Sequence, residues 1–332
     1  KKILGGFIKE DAYDKSIALL ERLGFQKIMP LAWDWRRDPI HGIRALDELV
    51  KKCNELYPDN KIILISHSFG SLIASYYLRY GAQDFSIDND PEENWEGLRK
   101  FEKIILSAAP FRGLMAMFRN MHYGIKFGLN SNMQTPLAFS TFESSYYLLP
   151  PKGLDCVLNE EGKIESLGLH DPHNWEKYRF GLFHESCRPK NESLEEKEIR
   201  FKYIDHHLKR AQKFNQLIDG PIIKKPNVER NILYLNGFGQ QTVHHGLWLK
   251  KLAEVGKPNV VLYYPKHFKQ WKLKDKASIV YGDGDATVPD FSLKLPTYLQ
   301  ELQTKEVKRK LGHLDILQSQ ESQEIITNFL SE

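Results

Sequence analysis

Residues 61–70 read Lys-Ile-Ile-Leu-Ile-Ser-His-Ser-Phe-Gly, an apolar run that ends in two serines around a histidine. Residues 72–80 have the pattern of a helix, so the stretch predicts a strand, a tight turn and a helix. Such a turn holds Ser68 in a strained, exposed position at a helix N-terminus, whose dipole favours developing negative charge. The turn requires small residues two positions before and two positions after Ser68, because strand and helix nearly touch there. Ser66 and Gly70 meet this requirement. The plainer interpretation is a buried strand followed by a serine-rich turn.

An acid and a histidine follow this serine in chain order. Residues 277–281 predict a buried strand that runs into the turn at 282–289, Gly-Asp-Gly-Asp-Ala-Thr-Val-Pro. His313 lies on a short loop before a helix predicted at 316–330. A serine is a nucleophile at neutral pH only if a histidine takes its proton and an acid orients that histidine. The order serine, acid, histidine is the one that an α/β-hydrolase requires.

Each of these residues also has a structural interpretation by itself. Asp283 and Asp285 could bind calcium, but the turn lacks the spacing of an EF-hand loop and an acid at its end. His313 alone could be a surface or helix-capping histidine. The His-His pairs at 206–207 and 244–245 have no carboxylate or cysteine at suitable spacing, so they predict no metal site.

Six stretches between residues 33 and 315 resemble, in the correct order, the motifs of the lecithin:cholesterol acyltransferase family. This family includes phospholipid:diacylglycerol acyltransferases and lysosomal-type phospholipases A. The matching stretches are Trp33-Asp34-Trp35-Arg36, the serine turn at 66–70, Ser-Ala-Ala-Pro-Phe-Arg-Gly at 107–113, residues 144–150 ending Leu-Leu-Pro, residues 234–242 and Asp-Gly-Asp-Ala-Thr-Val at 283–288.

The resemblance implies an α/β-hydrolase fold with a catalytic triad of Ser68, Asp285 and His313, where Asp285 is the acid by its position in the motif. The N–H of Phe69, the residue after the nucleophile, is the expected oxyanion donor. The family takes a second donor from an N-terminal Pro-Gly-x-x-Gly turn. This sequence either starts downstream of that turn or replaces it with residues 5–7, Gly-Gly-Phe. The chemistry needs no metal or organic cofactor.

The organisation of the chain predicts a mainly parallel sheet with an inserted cap. Residues 1–115 and 229–332 alternate helix-like stretches with short apolar runs, which favours crossover helices around a parallel sheet. Residues 116–228 lack this alternation and are interpreted as the cap or lid. The predicted helices cover residues 12–23, 43–56, 71–80, 193–217 and 316–330, and the predicted strands cover residues 27–31, 62–66, 104–108, 232–235, 260–264 and 278–281.

The start of the cap is rich in methionine and aromatic residues, which suits a groove for acyl chains. Met115, Met117 and Phe118 are therefore candidate substrate-binding residues; the alternative is that they form the cap's own core. Trp33 is a further candidate from the family resemblance, although an Asp34–Arg36 pair that supports this loop explains the motif equally. The resulting hypothesis is a serine-dependent acyl hydrolase or O-acyltransferase for phospholipid or glyceride esters. The alternatives are a soluble carboxylesterase for small esters and an inactive lipid-binding protein.

Charge, hydropathy and cysteine content restrict the binding partners and the compartment of the protein. The net charge of +4 is too small to indicate nucleic acid. Five lysines with Phe268 and Trp271 at 266–276 suit peripheral contact with an anionic membrane surface, although a solvated connection has the same pattern. No run of 18 apolar residues predicts a membrane-spanning helix. Three widely spaced cysteines favour a reducing, cytoplasmic compartment, and a chain without an initiator Met leaves a signal peptide open.

Overall fold

A parallel sheet forms the centre of the molecule. The computed structural model describes residues 13–127, 130–189, 191–249, 260–261 and 277–332. Within these ranges, four strands form an all-parallel sheet in the order β1-β2-β6-β11. Their bounds are β1 Ile62–Ile65, β2 Phe101–Ser107, β6 Asn231–Gly237 and β11 Lys305–Arg309. The arrangement confirms the predicted α/β-hydrolase fold.

Both faces of the sheet are covered, because successive side chains of a strand point to opposite sides. On β2, Ile104 and Leu106 belong to the larger hydrophobic cluster, which includes residues of α2 and α3. Ile105 lies on the other face, in a smaller cluster with residues of α1 and α12. Burial on both faces explains why β1 and residues 104–106 of β2 are continuous apolar runs and not alternating ones. The helices of these two layers are α1 Asp14–Arg22, α2 Pro39–Leu56, α3 Phe69–Tyr80 and α12 Gln320–Ser331.

Short elements and one long helix follow β2. The long helix begins with a capping box, in which the Ser193 hydroxyl and the Glu196 carboxylate each accept from the other residue's backbone N–H. Helix α4 Glu96–Arg99 directly precedes β2. The elements between β2 and β6 are α5 Met115–Tyr123, β3 Ile125–Phe127, β4 Asn130–Gln134, α6 Pro136–Thr141, α7 Glu143–Tyr147, β5 Val157–Asn159, α8 Pro172–Lys177, two 3-10 turns at Gly181–Phe183 and Glu185–Cys187, and α9 Leu194–Asp219.

The predicted cap is joined to the C-terminal part of the chain. Strand β5 pairs in parallel with β8, which in turn pairs with β9. The elements after β6, besides β11 and α12, are β7 Thr242–Val243, β8 Gly246–Trp248, β9 Val260–Val261, α10 Ala277–Val280, β10 Tyr281–Gly282 and α11 Thr297–Glu301. The β5–β8 pairing therefore joins residues on both sides of the predicted cap boundary at 228.

Two of the strand predictions were wrong. Residues 27–31 form no strand: Pro30 has no N–H to donate to a ladder, and Leu31 is exposed. Residues 277–281 form the short helix α10 and the first residue of β10, because so short an apolar stretch does not distinguish helix from strand. Strand β11 was not predicted. Of 260–264, only residues 260–261 are described, and they are extended.

Other predictions fall partly or wholly outside the described residues. The basic aromatic segment at 266–276 and residues 5–7 are among these. Among the helices that the structure describes, none combines the length and hydropathy that a membrane span requires.

Candidate active site

Ser68 occupies the sharp turn between β1 and α3. Its backbone has φ 53° and ψ −126°, in a region that non-glycine residues adopt only under constraint. The constraint comes from both neighbours: the Ser68 N–H donates to the carbonyl of Ser107 at 2.9 Å, and helix α3 begins at Phe69. The side chain thus stands at the carboxyl edge of the sheet, at a helix N-terminus.

A network of serine hydroxyls supports this turn. The Oγ atoms of Ser66 and Ser71 are 3.0 Å apart, and the Ser71 hydroxyl donates to the Ser107 carbonyl at 3.1 Å. The Ser107 hydroxyl donates back to the Ser66 carbonyl at 2.7 Å. A serine at position 66 therefore links strands and helix. The prediction that close packing requires a glycine-sized residue at position 70 was wrong, since a Cβ at Gly70 would have no atom within 4 Å.

The structure brings Ser68, His313 and Asp285 together. The Ser68 hydroxyl and Nε2 of His313 are 2.9 Å apart, and Nδ1 of His313 is 2.7 Å from Oδ2 of Asp285. These distances suit a serine that donates to the imidazole and an Nδ1–H that donates to the carboxylate. The backbone adds a further link, because the His313 N–H donates to the Asp285 carbonyl at 2.7 Å.

Asp285 is fully buried and held at its other oxygen. Oδ1 accepts from the N–H groups of Thr287 and Val288, at 2.9 and 2.6 Å. Gly237 makes room for it, because a Cβ there would lie 2.6 Å from the Asp285 Cβ. Asp283 has a different role: its Oδ1 accepts from the N–H groups of Gly239 and Gly284 and so holds the turn.

The Phe69 N–H lies at the first position of α3, directly after Ser68. Among the described residues, no carbonyl or side chain accepts a hydrogen bond from it. The Phe69 ring packs against Trp33, with 5.5 Å between ring centroids. This contact puts Trp33 beside the turn that holds Ser68.

Next to Trp33, the polar pair expected in this loop is formed. Arg36 donates from Nε and Nη2 to the two carboxylate oxygens of Asp34, each at 2.7 Å. This pairing lowers the pKa of Asp34 to about 2. The Arg36 carbonyl also accepts from the Ser144 N–H, so the loop is attached to the predicted cap.

The methionine and aromatic candidates lie in the interior. Met115 and Phe118 have no exposed surface and Met117 is 7% exposed. Phe118 meets Trp175 and Phe180 edge-on, at centroid distances of 5.8 and 4.9 Å. In this conformation they belong to the larger hydrophobic cluster and do not line a groove open to solvent.

His67 is a site residue whose contacts the sequence did not reveal. Its Nε2 lies 2.9 Å from the His313 carbonyl, and its Nδ1 lies 3.1 Å from the Tyr13 hydroxyl. Burial, followed by the neighbouring His313, lowers the pKa of His67 to about 4. The motif drew attention to a histidine before the serine but not to its partners, which are distant in the sequence. Within the described residues, no group of three His, Cys, Asp or Glu side chains could hold a metal ion.

The family relationship follows from comparison with known proteins. The model of the lecithin:cholesterol acyltransferase family matches residues 6–205, more than half of the chain. The chain belongs to this family. The predicted resemblance is thus confirmed. A search of curated proteins found no match.

Solved structures agree on the fold. A chain from the crystal structure of the Tle4–Tli4 complex matches with a TM-score of 0.54 at 11% sequence identity. The alignment covers 89% of this lecithin:cholesterol acyltransferase family chain and 66% of the Tle4–Tli4 chain, just under two thirds of its length. At this identity the likeness concerns the fold alone.

Proposed function

We propose that the protein is a serine-dependent acyl hydrolase or O-acyltransferase that acts on phospholipid or glyceride esters through an acyl-enzyme. The observation that carries the proposal is the continuous hydrogen-bonded chain from Ser68 through His313 to the buried Asp285. Family membership supports a lipid ester as the substrate class.

The mechanism follows from this geometry. Nε2 of His313 takes the Ser68 proton as Oγ attacks the ester carbonyl, while Asp285 holds the imidazole tautomer and stabilises its charged form. The Phe69 N–H binds the oxyanion, an interaction of about 3 kcal/mol for one donor. His313 then protonates the departing alcohol, which leaves an acyl group on Ser68. Water or a lipid alcohol, deprotonated by His313, attacks this acyl group and regenerates the serine.

Labelling with a fluorophosphonate tests the nucleophile. The reagent forms a bond to an activated serine oxygen, so the wild-type protein and Ser66→Ala should be labelled and Ser68→Ala should not. Ser66 is a matched control because it lies two residues away in the same turn. Absence of labelling in a folded wild-type protein would contradict the proposal and favour the inactive lipid-binding alternative.

A chain-length series tests the substrate class. Burying one methylene contributes about 0.8 kcal/mol, so a groove for acyl chains should raise kcat/KM by about fourfold per carbon. The measurement uses p-nitrophenyl esters of two to twelve carbons together with phospholipid micelles. The burial of Met115, Met117 and Phe118 favours the competing small-ester carboxylesterase. A maximum at acetate or butyrate with no activity on micelles would establish that alternative.

The acyl acceptor needs a separate measurement, because water and alcohol attack the same intermediate. A panel of lipid esters with and without added lipid alcohol distinguishes the two. Formation of a new ester at the expense of free fatty acid would identify a transferase, and unchanged fatty acid release would identify a hydrolase.

A further inference from the structure

The histidine before the nucleophile connects three parts of the chain that are far apart in the sequence. His67 follows β1, Tyr13 lies just before α1, and His313 lies on the loop between β11 and α12. The rings of His67 and His313 have centroids 4.7 Å apart, and the Tyr13 ring meets His67 edge-on at 5.8 Å. None of these contacts uses a reacting atom of the proposed mechanism.

The direction of the two hydrogen bonds follows from the donors present. A carbonyl oxygen can only accept, so the His67 Nε2 must carry the proton that is given to His313 O at 2.9 Å. In the neutral imidazole, Nδ1 is then an acceptor, and the Tyr13 hydroxyl donates to it at 3.1 Å. Tyr13 therefore selects the tautomer of His67 that can hold the loop.

The His313 backbone is fixed on both sides by this arrangement. Its N–H donates to the Asp285 carbonyl at 2.7 Å, and its C=O accepts from His67. These two anchors leave the loop little freedom to rotate. They keep Nε2 of His313 2.9 Å from the Ser68 hydroxyl and Nδ1 2.7 Å from the Asp285 carboxylate.

We propose that His67 is a positioning residue, which holds the catalytic-base loop through its Nε2–H and takes its working tautomer from Tyr13. The proposal rests on the proposed function, in which His313 is the base. A charged His67 would have no acceptor for Tyr13 and would repel the imidazolium that forms on His313 during the reaction. Burial and the neighbouring His313 favour the neutral ring, since they lower the pKa of His67 to about 4.

Substitutions of His67 and Tyr13 test the positioning role of His67. His67→Leu keeps apolar volume without a donor, whereas His67→Gln offers an amide N–H close to the position of Nε2. We expect His67→Leu to lower kcat about tenfold with little change in KM, and His67→Gln to recover most of this loss. Tyr13→Phe, at a half-exposed side chain, should lower kcat about two- to threefold without unfolding the protein.

The matched control is a histidine with the same type of bond in the predicted cap. His170 is also largely buried, and its Nε2 lies 2.8 Å from the Pro150 carbonyl. His170→Leu removes an equivalent hydrogen bond and should lower stability while leaving kcat unchanged. A purely structural role for His67 predicts the same pattern for His67→Leu, which would overturn the proposal.

A second readout is independent of turnover. The Nδ1–H of His313, hydrogen-bonded to Asp285, should give a strongly downfield proton resonance. This resonance should broaden or shift in His67→Leu and Tyr13→Phe and persist in His170→Leu. If it persists in all three folded variants, His67 does not position His313. If instead the wild type shows the resonance but neither fluorophosphonate labelling nor turnover, the proposed function fails while the positioning geometry stands.

Discussion

At the scale of single residues, strained backbone conformations occur at or close to residues of the proposed triad. Ser68, Ala108 and Ala286 all have positive φ although none is glycine. Ala108 directly follows β2, whose last residue accepts the Ser68 N–H, and Ala286 directly follows Asp285. Such conformations cost about 1–3 kcal/mol each and persist only when the surrounding structure imposes them. Here they orient the proposed nucleophile, Ser68, and the proposed acid, Asp285, toward the same edge of the sheet.

The two aspartates of the turn at 282–289 allow a paired prediction. Asp285→Asn keeps an acceptor for the Thr287 and Val288 N–H groups but presents an amide to His313, which stabilises the wrong imidazole tautomer. We expect kcat to fall by about 10⁴. Asp283→Asn retains the oxygen that caps Gly239 and Gly284, and should reduce kcat by less than about threefold. Steady-state kinetics on a soluble ester measure both. A larger loss for Asp283→Asn in a folded protein would reverse the assignment.

Gly237 allows a test of how closely Asp285 is positioned. A Cβ at this residue would lie 2.6 Å from both the Asp285 Cβ and the Leu311 carbonyl, so the acid and the histidine loop must shift. Since small displacements of catalytic groups are costly, Gly237→Ala should lower kcat by about 10–100-fold. Gly70→Ala is the control, because a Cβ there meets nothing within 4 Å and its kcat should stay within about threefold. Equal kcat values for the two variants would exclude this positioning effect.

The sequence was informative about this site where local pattern determines local structure. Ser68 was recognised from a strand, a turn and a helix that are continuous in the chain, and His313 from its loop before the last helix. The choice of Asp285 over Asp283 came from the family motif, since both lie in one turn. The contacts of His67 with Tyr13 and His313 join residues 54 and 246 positions apart, which no local pattern encodes.

At the scale of elements, a strand can be recognised from the sequence as an apolar run when both of its faces are buried, and less easily when one face is exposed. Residues 104–106 of β2 are buried on both faces of the sheet and appear as an apolar run. Strand β11, Lys-Glu-Val-Lys-Arg, pairs with β6 alone among the described strands and has one apolar residue, Val307, which packs against the smaller hydrophobic cluster. Charges on such an edge strand protect it from pairing with other chains, but they also hide it from a search for apolar runs.

The link between α3 and the end of α9 gives the prediction at this scale. Arg79 is almost fully buried; its Nε donates to Glu93 at 2.6 Å, and its other nitrogens donate to the carbonyls of Leu217, Gly220 and Pro221. Arg79→Met would leave Oε1 of Glu93 and the carbonyls of Gly220 and Pro221 without the donors that Arg79 supplies. Removing one member of a buried pair costs about 3–5 kcal/mol, so we expect a loss of unfolding free energy of that size.

The control for Arg79 is an ion pair at the surface. Lys61 and Glu102 form an ion pair, with 2.7 Å between Nζ and Oε1, and most of the lysine side chain is exposed. Lys61→Met should therefore change little, because solvent screens exposed pairs. Urea unfolding of both variants and the wild type measures the difference. A small change of the unfolding free energy in Arg79→Met would contradict this prediction and show that water replaces the hydrogen bonds of the Arg79 guanidinium.

At the scale of the whole molecule, polar contacts connect the predicted cap to the hydrolase core. Arg210 on α9 donates to Asp38, which caps the N-terminus of α2, and also bonds to Asp84. The Tyr147 hydroxyl, next to the Leu-Leu-Pro segment, donates to the same Asp38 carboxylate. Together with the β5–β8 pairing, these contacts favour cap and core unfolding in one transition.

Buried neutral histidines should make this stability sensitive to acid. Burial lowers the pKa to about 3 for His122 and to about 4 for both His67 and His207. An unfolded histidine has a pKa of about 6.5, so between pH 6.5 and pH 4 the unfolded chain binds more protons than the folded one. The free energy of unfolding should therefore fall as the pH falls through this window, before the carboxylates titrate.

His122 offers the sharpest test of this pH dependence. Among the described residues neither of its buried ring nitrogens has a hydrogen-bond partner, and the ring packs against His184, Tyr123 and Phe180. His122→Leu removes these nitrogens, so the unfolding free energy should rise by about 1 kcal/mol at pH 8. At pH 5 the gain should be about 2 kcal/mol larger, because the unfolded variant has no histidine to protonate. Urea unfolding at both pH values measures it, with the exposed His206→Gln as the control. A gain that is independent of pH would show that His122 does not contribute to the acid sensitivity.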